Sequence, residues 1–177
     1  MSAIRNLQTD EKGWFTKGVF DSDSLFQCEM QITIDAEAGA TVEDAEACIR
    51  HYSKLGGQQS LIDDIEKGLS SFFEYMYHEW RAFEAVYGDI ADSLEPVMEE
   101  YQKGAPLLPY LYEPKMYVDP QKEGEIGYGI VCECPWEPEH ACQILIRNDK
   151  VVYVGPAGGN TPWDDEDEYY CIWNDEE

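Results

Sequence analysis

The segment 132–144, with the sequence CECPWEPEHACQI, concentrates side chains that can take part in catalysis or bind a metal ion. It holds three cysteines, three glutamates, one histidine and one tryptophan within thirteen residues. Thiolates and imidazoles bind zinc or act as nucleophiles and bases, and paired carboxylates support acid–base chemistry. The same residues can also form a structural bend between two strands.

The ligand spacing in this segment is unfavourable for zinc. Zinc sites usually take pairs of ligands about two to four residues apart, whereas one residue separates Cys132 from Cys134 and His140 has no neighbouring histidine. A thiol nucleophile paired with His140 would need a lowered cysteine pKa, which acidic neighbours oppose. We therefore expect no metal site, no cofactor and no catalytic cysteine in this segment.

Glu137, Glu139 and His140 form the enzymatic alternative. A carboxylate pair beside a histidine could serve as an acid–base module or hold a metal ion, although the chain lacks the oxygen-ligand spacing of an EF-hand. In the structural alternative, Trp136 and Pro138 define a bend that His140 and a glutamate stabilise by hydrogen bonds. The cysteines then behave as small hydrophobic residues on a sheet. The sequence favours this structural motif of Trp136, Glu137, Glu139 and His140.

A second candidate site lies in the C-terminal segment 156–177, which combines acidic and aromatic side chains. Residues 163–177 include eight acidic residues and no basic one. Aromatic side chains among charged ones are good anchors of protein interfaces. The predicted partner-binding residues are Trp163, Asp164, Asp165, Glu166, Asp167, Glu168, Tyr169, Tyr170 and Trp173. The alternative is that this segment is a solvated or sheet-edge terminus.

The charge of the whole chain indicates the kind of partner. Its 37 acidic and 12 basic residues give a formal net charge of -25. Such a field repels nucleic acid and anionic membranes, and it attracts basic proteins or cations. We therefore predict a protein partner with a basic surface, and no binding to nucleic acid or membranes. Adaptation to salt or simple solubilisation would produce a similar charge, and the sequence specifies no oligomeric state.

Strands are predicted where apolar and polar residues alternate. Residues 26–34 alternate strictly, with 14–20 as the hairpin partner, and residues 125–155 are expected to form an antiparallel meander. Asn148 and Asp149 should form a tight hairpin turn within this meander. The Pro-rich stretch 105–114 is interpreted as a connection.

Helical spacing predicts helices at about 42–55 and 60–85, and a shorter third helix that ends before Gly104. The first helix should begin with a capping box of Thr41 and Asp44. Strands, then helices, then strands predict an α+β fold: an antiparallel sheet with two or three helices packed on one face, and no βαβ unit. We expect a single domain over 1–177.

The start of the chain has no apolar run, and no stretch reaches the roughly 18 consecutive apolar residues of a membrane span. We therefore expect a cytoplasmic protein. Its six cysteines are then expected to be reduced, because the cytosol keeps thiols in that state.

Two short motifs resemble a known family. WEPEH at 136–140 and VVYVG at 151–155 are similar to an uncharacterised bacterial domain-of-unknown-function family with a Trp-x-x-Glu-His hairpin motif. The likeness covers about residues 14–155 and includes an aromatic-rich helix. The family pattern has glycine after Glu-His, where this chain has Ala141. Members often occur near polymorphic toxins and resemble immunity proteins, so the resemblance implies toxin neutralisation by contact and assigns no catalytic residue. A structural or regulatory protein is a further alternative.

Overall fold

A computed structural model describes residues 2–176. It contains a seven-stranded sheet in which the strands are neighbours in the same order as in the chain. The strands are β1 (Arg5–Thr9), β2 (Phe15–Asp23), β3 (Gln27–Asp35), β4 (Tyr112–Val118), β5 (Gly127–Glu133), β6 (Cys142–Arg147) and β7 (Lys150–Pro156). Neighbouring strands are antiparallel except β3 and β4, which are parallel.

Four α-helices connect β3 to β4. They are α1 (Val42–Tyr52), α2 (Gln59–Ala82), α3 (Glu84–Ser93) and α4 (Glu95–Gln102). The structure confirms the α+β class with a mostly antiparallel sheet, whereas the parallel pair β3–β4 was not predicted and four α-helices are present where two or three were expected. Parallel neighbours require a crossover connection, and the four helices together supply it. The periodicity of each element could not reveal which strand follows the helices back into the sheet.

The strands β1 and β4 are absent from the sequence-based prediction. All five residues of β1 are exposed, so this edge strand has no buried face to create alternation. The beginning of β4 falls in the stretch 105–114, where Pro114 argues against a strand. By contrast, the predicted turn at Asn148 and Asp149 is confirmed, and Asn148 has the left-handed backbone that such hairpins need.

The helix boundaries differ from the predicted ones for local reasons. The capping box of Thr41 and Asp44 is present, and α1 ends at Tyr52, three residues earlier than predicted. Phe83 leaves the helical conformation and terminates α2, and it is 57 % exposed although it continues the apolar spacing of the predicted helix 60–85. The helix α3 is kinked at Tyr87, which has φ -120° and ψ 19°, directly before Gly88.

One face of the sheet forms the main core. Ile32, Met116, Ile130, Ile144 and Val154 are successive cross-strand partners, so their side chains share this face. All five are buried. They form an apolar row across five strands.

The helices α1 and α2 pack against this face. A Cβ at Gly68 would lie only 2.6 Å from the Cβ of Val154, so the absence of a side chain at Gly68 lets α2 approach β7 closely. At the other end of the sheet, the ring of Tyr52 on α1 lies 6.1 Å from that of Phe20. Its hydroxyl is 2.8 Å from the Ser22 hydroxyl.

A second, smaller cluster lies on the opposite face. Leu145 and Tyr153 are cross-strand partners and belong to the other face, because each is adjacent in sequence to a residue of the main core. They pack with Tyr169 and Cys171 of the C-terminal segment. This segment therefore covers the back of β6 and β7.

The centre of the core supplies a test of the fold. Phe72 is fully buried, its ring is 6.3 Å from that of Trp136, and it stacks on Trp173 at 5.2 Å. We expect Phe72→Asp to prevent stable folding, because it removes these contacts and buries a carboxylate among apolar groups. His78→Asp, on the exposed side of α2, is the matched control. A soluble Phe72→Asp protein with the melting temperature of the wild type, measured by circular dichroism, would contradict this placement.

Candidate functional site

The bend after β5 is organised by the buried carboxylate of Glu137. Its Oε1 accepts hydrogen bonds from the backbone N–H groups of Glu139 at 3.1 Å and His140 at 3.2 Å. The ring Nδ1 of His140 lies 3.4 Å from the same oxygen. Glu139 and His140 are exposed, whereas only 7 % of the Glu137 side chain is accessible. The three predicted residues are thus adjacent, but Glu137 faces the backbone of its own bend.

Trp136 anchors this bend in the core. Its side chain is fully buried, with ring centroids 6.3 Å from Phe72 and 5.3 Å from Phe73. Its carbonyl oxygen accepts a hydrogen bond from Nε1 of Trp80 at 2.8 Å. Ala141, which follows, has φ +62°, in the left-handed region that favours glycine. A glycine would adopt this conformation with less strain than alanine does.

The cysteines beside the bend are unsuited to chemistry that requires a thiolate. Burial raises the pKa of Cys134 to about 12, and it raises the pKa values of Cys132 and Cys142 well above their ordinary range. Thiol nucleophiles act as thiolates, so these raised pKa values disfavour a catalytic cysteine here. Among the side chains that the structure describes, which end at residue 174, His, Cys, Asp and Glu form no group of three or more that could hold a metal ion. The geometry therefore supports the structural interpretation of the bend.

The C-terminal segment is attached to the protein by its aromatic residues. Tyr169 is buried, and its hydroxyl donates to the carbonyl oxygen of Thr161 at 2.8 Å. Trp173 stacks on Phe72, and its ring lies 5.5 Å from that of Tyr75 on α2. The ring of Trp163 packs over Gly127, where a Cβ would come within 2.7 Å of it. These three predicted anchors of a partner serve contacts within the chain.

The acidic residues of this segment are divided between internal and exposed positions. Asp164 accepts hydrogen bonds from the backbone N–H of Thr161 at 2.8 Å and from its hydroxyl at 2.7 Å. The next four carboxylates are exposed on a short 3-10 helix, which Asp165 and Glu168 begin with a capping box. The carbonyl oxygen of Glu168 accepts a hydrogen bond from Nδ2 of Asn160 at 2.9 Å, which ties this helix to the preceding loop.

Two apolar side chains are exposed beside these carboxylates. Tyr170 is 56 % exposed and Ile172 is 52 % exposed. Tyr169, which precedes them, and Cys171, which lies between them, are buried. Sequence reasoning missed Ile172, because residues 169–173 are all apolar or aromatic and their alternation between buried and exposed positions appears only in the structure. We name the exposed set of Asp165, Glu166, Asp167, Glu168, Tyr170 and Ile172 the acidic ridge.

A groove of about 850 Å³ lies between α2 and β7, next to the acidic ridge. Val151 to Val154 form its strand side, and Trp173 closes one part of it. The α2 side chains that line it include Asp64, Glu74 and Glu79, together with Lys67 and His78. The groove therefore continues the ridge as a polar, predominantly acidic surface along α2.

A histidine network elsewhere in the structure was not predicted. Nδ1 of His51 lies 2.9 Å from the hydroxyl of Tyr128, and its Nε2 lies 3.1 Å from Oδ1 of Asp149. Tyr128 is fully buried, so a substrate cannot reach its hydroxyl. The network instead joins α1 to the turn between β6 and β7. Its members are 77 and 98 residues from His51 in sequence, so no local motif could indicate them.

The fold and these surfaces define an α+β protein with an acidic C-terminal ridge and a structural bend after β5. A family model described as "Domain of unknown function (DUF6985)" matches residues 3–161, and the chain belongs to this family. The acidic ridge follows the matched region. Comparison with curated proteins gave no match, and comparison with solved structures gave none either. Within residues 2–176, no helix is both long enough and apolar enough to cross a membrane.

The structural role of Glu137 can be tested by two adjacent substitutions. We expect Glu137→Ala to lower the free energy of unfolding by about 1–3 kcal/mol, because two backbone N–H groups lose a charged acceptor. Glu139→Ala is the control, and a change at this exposed position should stay within about 0.5 kcal/mol. Urea denaturation of both variants measures the difference. Equal losses of stability would show that the buried carboxylate does not organise the bend.

The electrostatics near Asp164 predict a pH dependence of stability. Burial, together with the carboxylates of Asp35 and Asp164, raises the pKa of Asp119 above its ordinary value. An acid whose pKa is raised by folding stabilises the protein at low pH and loses this contribution as the pH rises through the folded-state pKa. We therefore expect Asp119→Asn to increase the free energy of unfolding at neutral pH.

This gain should shrink as the pH falls from the raised folded-state pKa towards the ordinary carboxylate value of 3.8, and it should be absent below that value, where the aspartic acid is neutral in both the folded and the unfolded state. Denaturation curves at several pH values measure the trend. Glu123→Gln, at an exposed position of the same loop, is the control and should have little effect. A gain at Asp119 that is independent of pH would contradict the electrostatic origin.

Proposed function

We propose that the protein is an acidic binding protein of the bacterial cytoplasm that neutralises a toxin by direct contact, in the manner of an immunity protein. The toxin surface that it covers is basic, as expected of an enzyme that must attract phosphate groups. The observation that carries this proposal is the acidic ridge, in which four exposed carboxylates flank two exposed apolar side chains. Charged groups beside apolar anchors are typical of protein interfaces.

The rigidity of the ridge favours binding. Tyr169, Cys171 and Trp173 are packed against the sheet or α2, so the exposed residues between and beside them are presented in a defined arrangement. A partner therefore meets charges that are already ordered, and less conformational entropy is lost on association. This feature supports an interface more strongly than a freely solvated acidic tail would.

The net charge of the chain supports rapid association. A formal charge of -25 produces a field that steers a basic protein during diffusional encounter, and complementary charge raises the association rate more than the final affinity. Fast binding suits neutralisation, because a toxin must be intercepted before it reaches its substrate. The same field disfavours nucleic acid and anionic membranes as ligands.

The enzymatic alternative receives less support from the geometry. Glu137 is buried and accepts hydrogen bonds from its own bend, while Glu139 and His140 are exposed and do not line the groove between α2 and β7. Acid–base catalysis requires a group within hydrogen-bond reach of a bound substrate. We therefore do not propose an acid–base or metal-dependent activity for these residues.

The ridge can be tested by neutralising its carboxylates. We expect the combined change of Asp165→Asn, Glu166→Gln, Asp167→Asn and Glu168→Gln to lower the association rate roughly tenfold at low salt, with a smaller effect on dissociation. The amides preserve the acceptor oxygens of the capping box, so the fold should be unchanged. Surface plasmon resonance at two salt concentrations measures both rates, with basic proteins encoded beside this gene as immobilised candidates.

The control neutralises four exposed glutamates away from the ridge, Glu11, Glu37, Glu113 and Glu123. It changes the net charge by the same amount and should reduce the association rate less. If both variants slow association equally, only the overall charge steers the partner. If none of the neighbouring basic proteins binds, the proposed function is wrong.

A further inference from the structure

The junction of α2 and α3 exposes apolar side chains to an unusual degree. Phe83 is 57 % exposed and Val86 is 73 % exposed, and Ala82 and Ala85 beside them are exposed as well. Phe83 has φ -109° and ψ 38°, so the backbone turns here and presents the four residues at a corner. We name Ala82, Phe83, Ala85 and Val86 the apolar elbow. A cluster of exposed apolar residues with polar surroundings marks an interaction site.

The sequence around the elbow is acidic. Glu84 lies between Phe83 and Ala85, and residues 79–89 contain three acidic residues and one basic residue. The basic residue, Arg81, is engaged within the chain: its guanidinium pairs with Asp92 at 2.9 Å and with Glu95. Its charge is therefore already compensated. A partner that covers the elbow meets apolar side chains with a rim of carboxylates.

The elbow continues the surface that carries the acidic ridge. Tyr75 and Glu79 are four residues apart and lie along one flank of α2, and Phe83 follows at the same interval, directly after the last residue of the helix. Tyr75 contacts Trp173 beside the ridge, and Glu79 lines the groove between α2 and β7. One partner surface can therefore reach the ridge, the groove and the elbow along the same side of the molecule.

The charge of the rim also distinguishes between kinds of partner. A second copy of this chain would bring an equally acidic rim against the first, and like charges facing each other across an interface are strongly unfavourable. A basic protein instead pairs its lysines and arginines with the rim while an apolar side chain covers the elbow. The surface thus fits a partner in which basic residues surround an apolar protrusion.

We propose that the apolar elbow is the anchor of the partner interface, and that it binds an apolar side chain flanked by lysine or arginine. This assignment rests on the proposed binding of a basic protein. The acidic ridge and the apolar elbow then affect different steps of binding. Exposed charges accelerate encounter, whereas burial of Phe83 and Val86 slows dissociation, because apolar contacts form only in the docked complex.

The probe is a synthetic helical peptide in which leucines at helical spacing are surrounded by lysines. A second peptide carries serine in place of each leucine and has the same charge. Isothermal titration calorimetry with the full chain should show that the wild type binds the leucine peptide at least about tenfold more tightly than the serine peptide. Phe83→Ser and Val86→Ser should each remove most of this preference.

Leu7→Ser is the matched control, because Leu7 is 40 % exposed on β1, at the opposite edge of the sheet from β7. It should leave the preference unchanged. All three positions are exposed, so the melting temperatures should remain near that of the wild type. With a basic partner protein, the two elbow variants should raise the dissociation rate about tenfold and leave the salt dependence of association intact.

The outcomes separate this proposal from the proposed function. If neither peptide binds the wild type and no basic partner binds, the acidic binding function fails and the elbow assignment fails with it. If basic ligands bind but Phe83→Ser and Val86→Ser behave as the wild type does, only the elbow assignment is overturned. Dimers of the wild type that Val86→Ser abolishes, seen by analytical ultracentrifugation, would also overturn it, because the elbow would then serve self-association.

Discussion

The packing of Phe72 is the contact on which the rest of the structure depends. Its ring lies against Trp136 of the bend after β5 and against Trp173 of the C-terminal segment, so one side chain of α2 joins three distant parts of the chain. The close approach of α2 to β7 at Gly68 places the helix where these contacts can form. Aromatic rings bury large apolar areas and prefer defined geometries, so they fix both the bend and the terminal segment.

This arrangement explains how such an acidic chain can present ordered charges. Mutual repulsion of carboxylates disfavours a compact state, and a terminal segment with many of them would by itself remain solvated. Here alternate residues of the segment are buried against the back of β6 and β7, and the carboxylates are displaced to the exposed side. Apolar burial thus holds the acidic ridge beside the groove and on the same side as the elbow.

Glu137 shows how a residue that could support catalysis becomes part of the scaffold. Sequence reasoning could identify the cluster of Glu137, Glu139 and His140, because the side chains are adjacent in the chain. It could not separate a catalytic carboxylate from one that binds backbone N–H groups, because that distinction depends on burial and orientation. The same limit applies to Trp163, Tyr169 and Trp173, whose composition suggested anchors for a partner and whose contacts lie within the chain.

The sequence by itself determined the α+β class, the positions of the long helix and of the final three strands, and the acidity of the surface. These features follow from the local period of apolar residues and from composition, and neither depends on which residues are in contact in the folded protein. The parallel pairing of β3 with β4, the exposed edge strand β1, the His51 network and the exposure of Phe83 were decided only by the tertiary structure. Each of these features depends on whether residues far apart in the chain are in contact. A local sequence pattern does not contain that information.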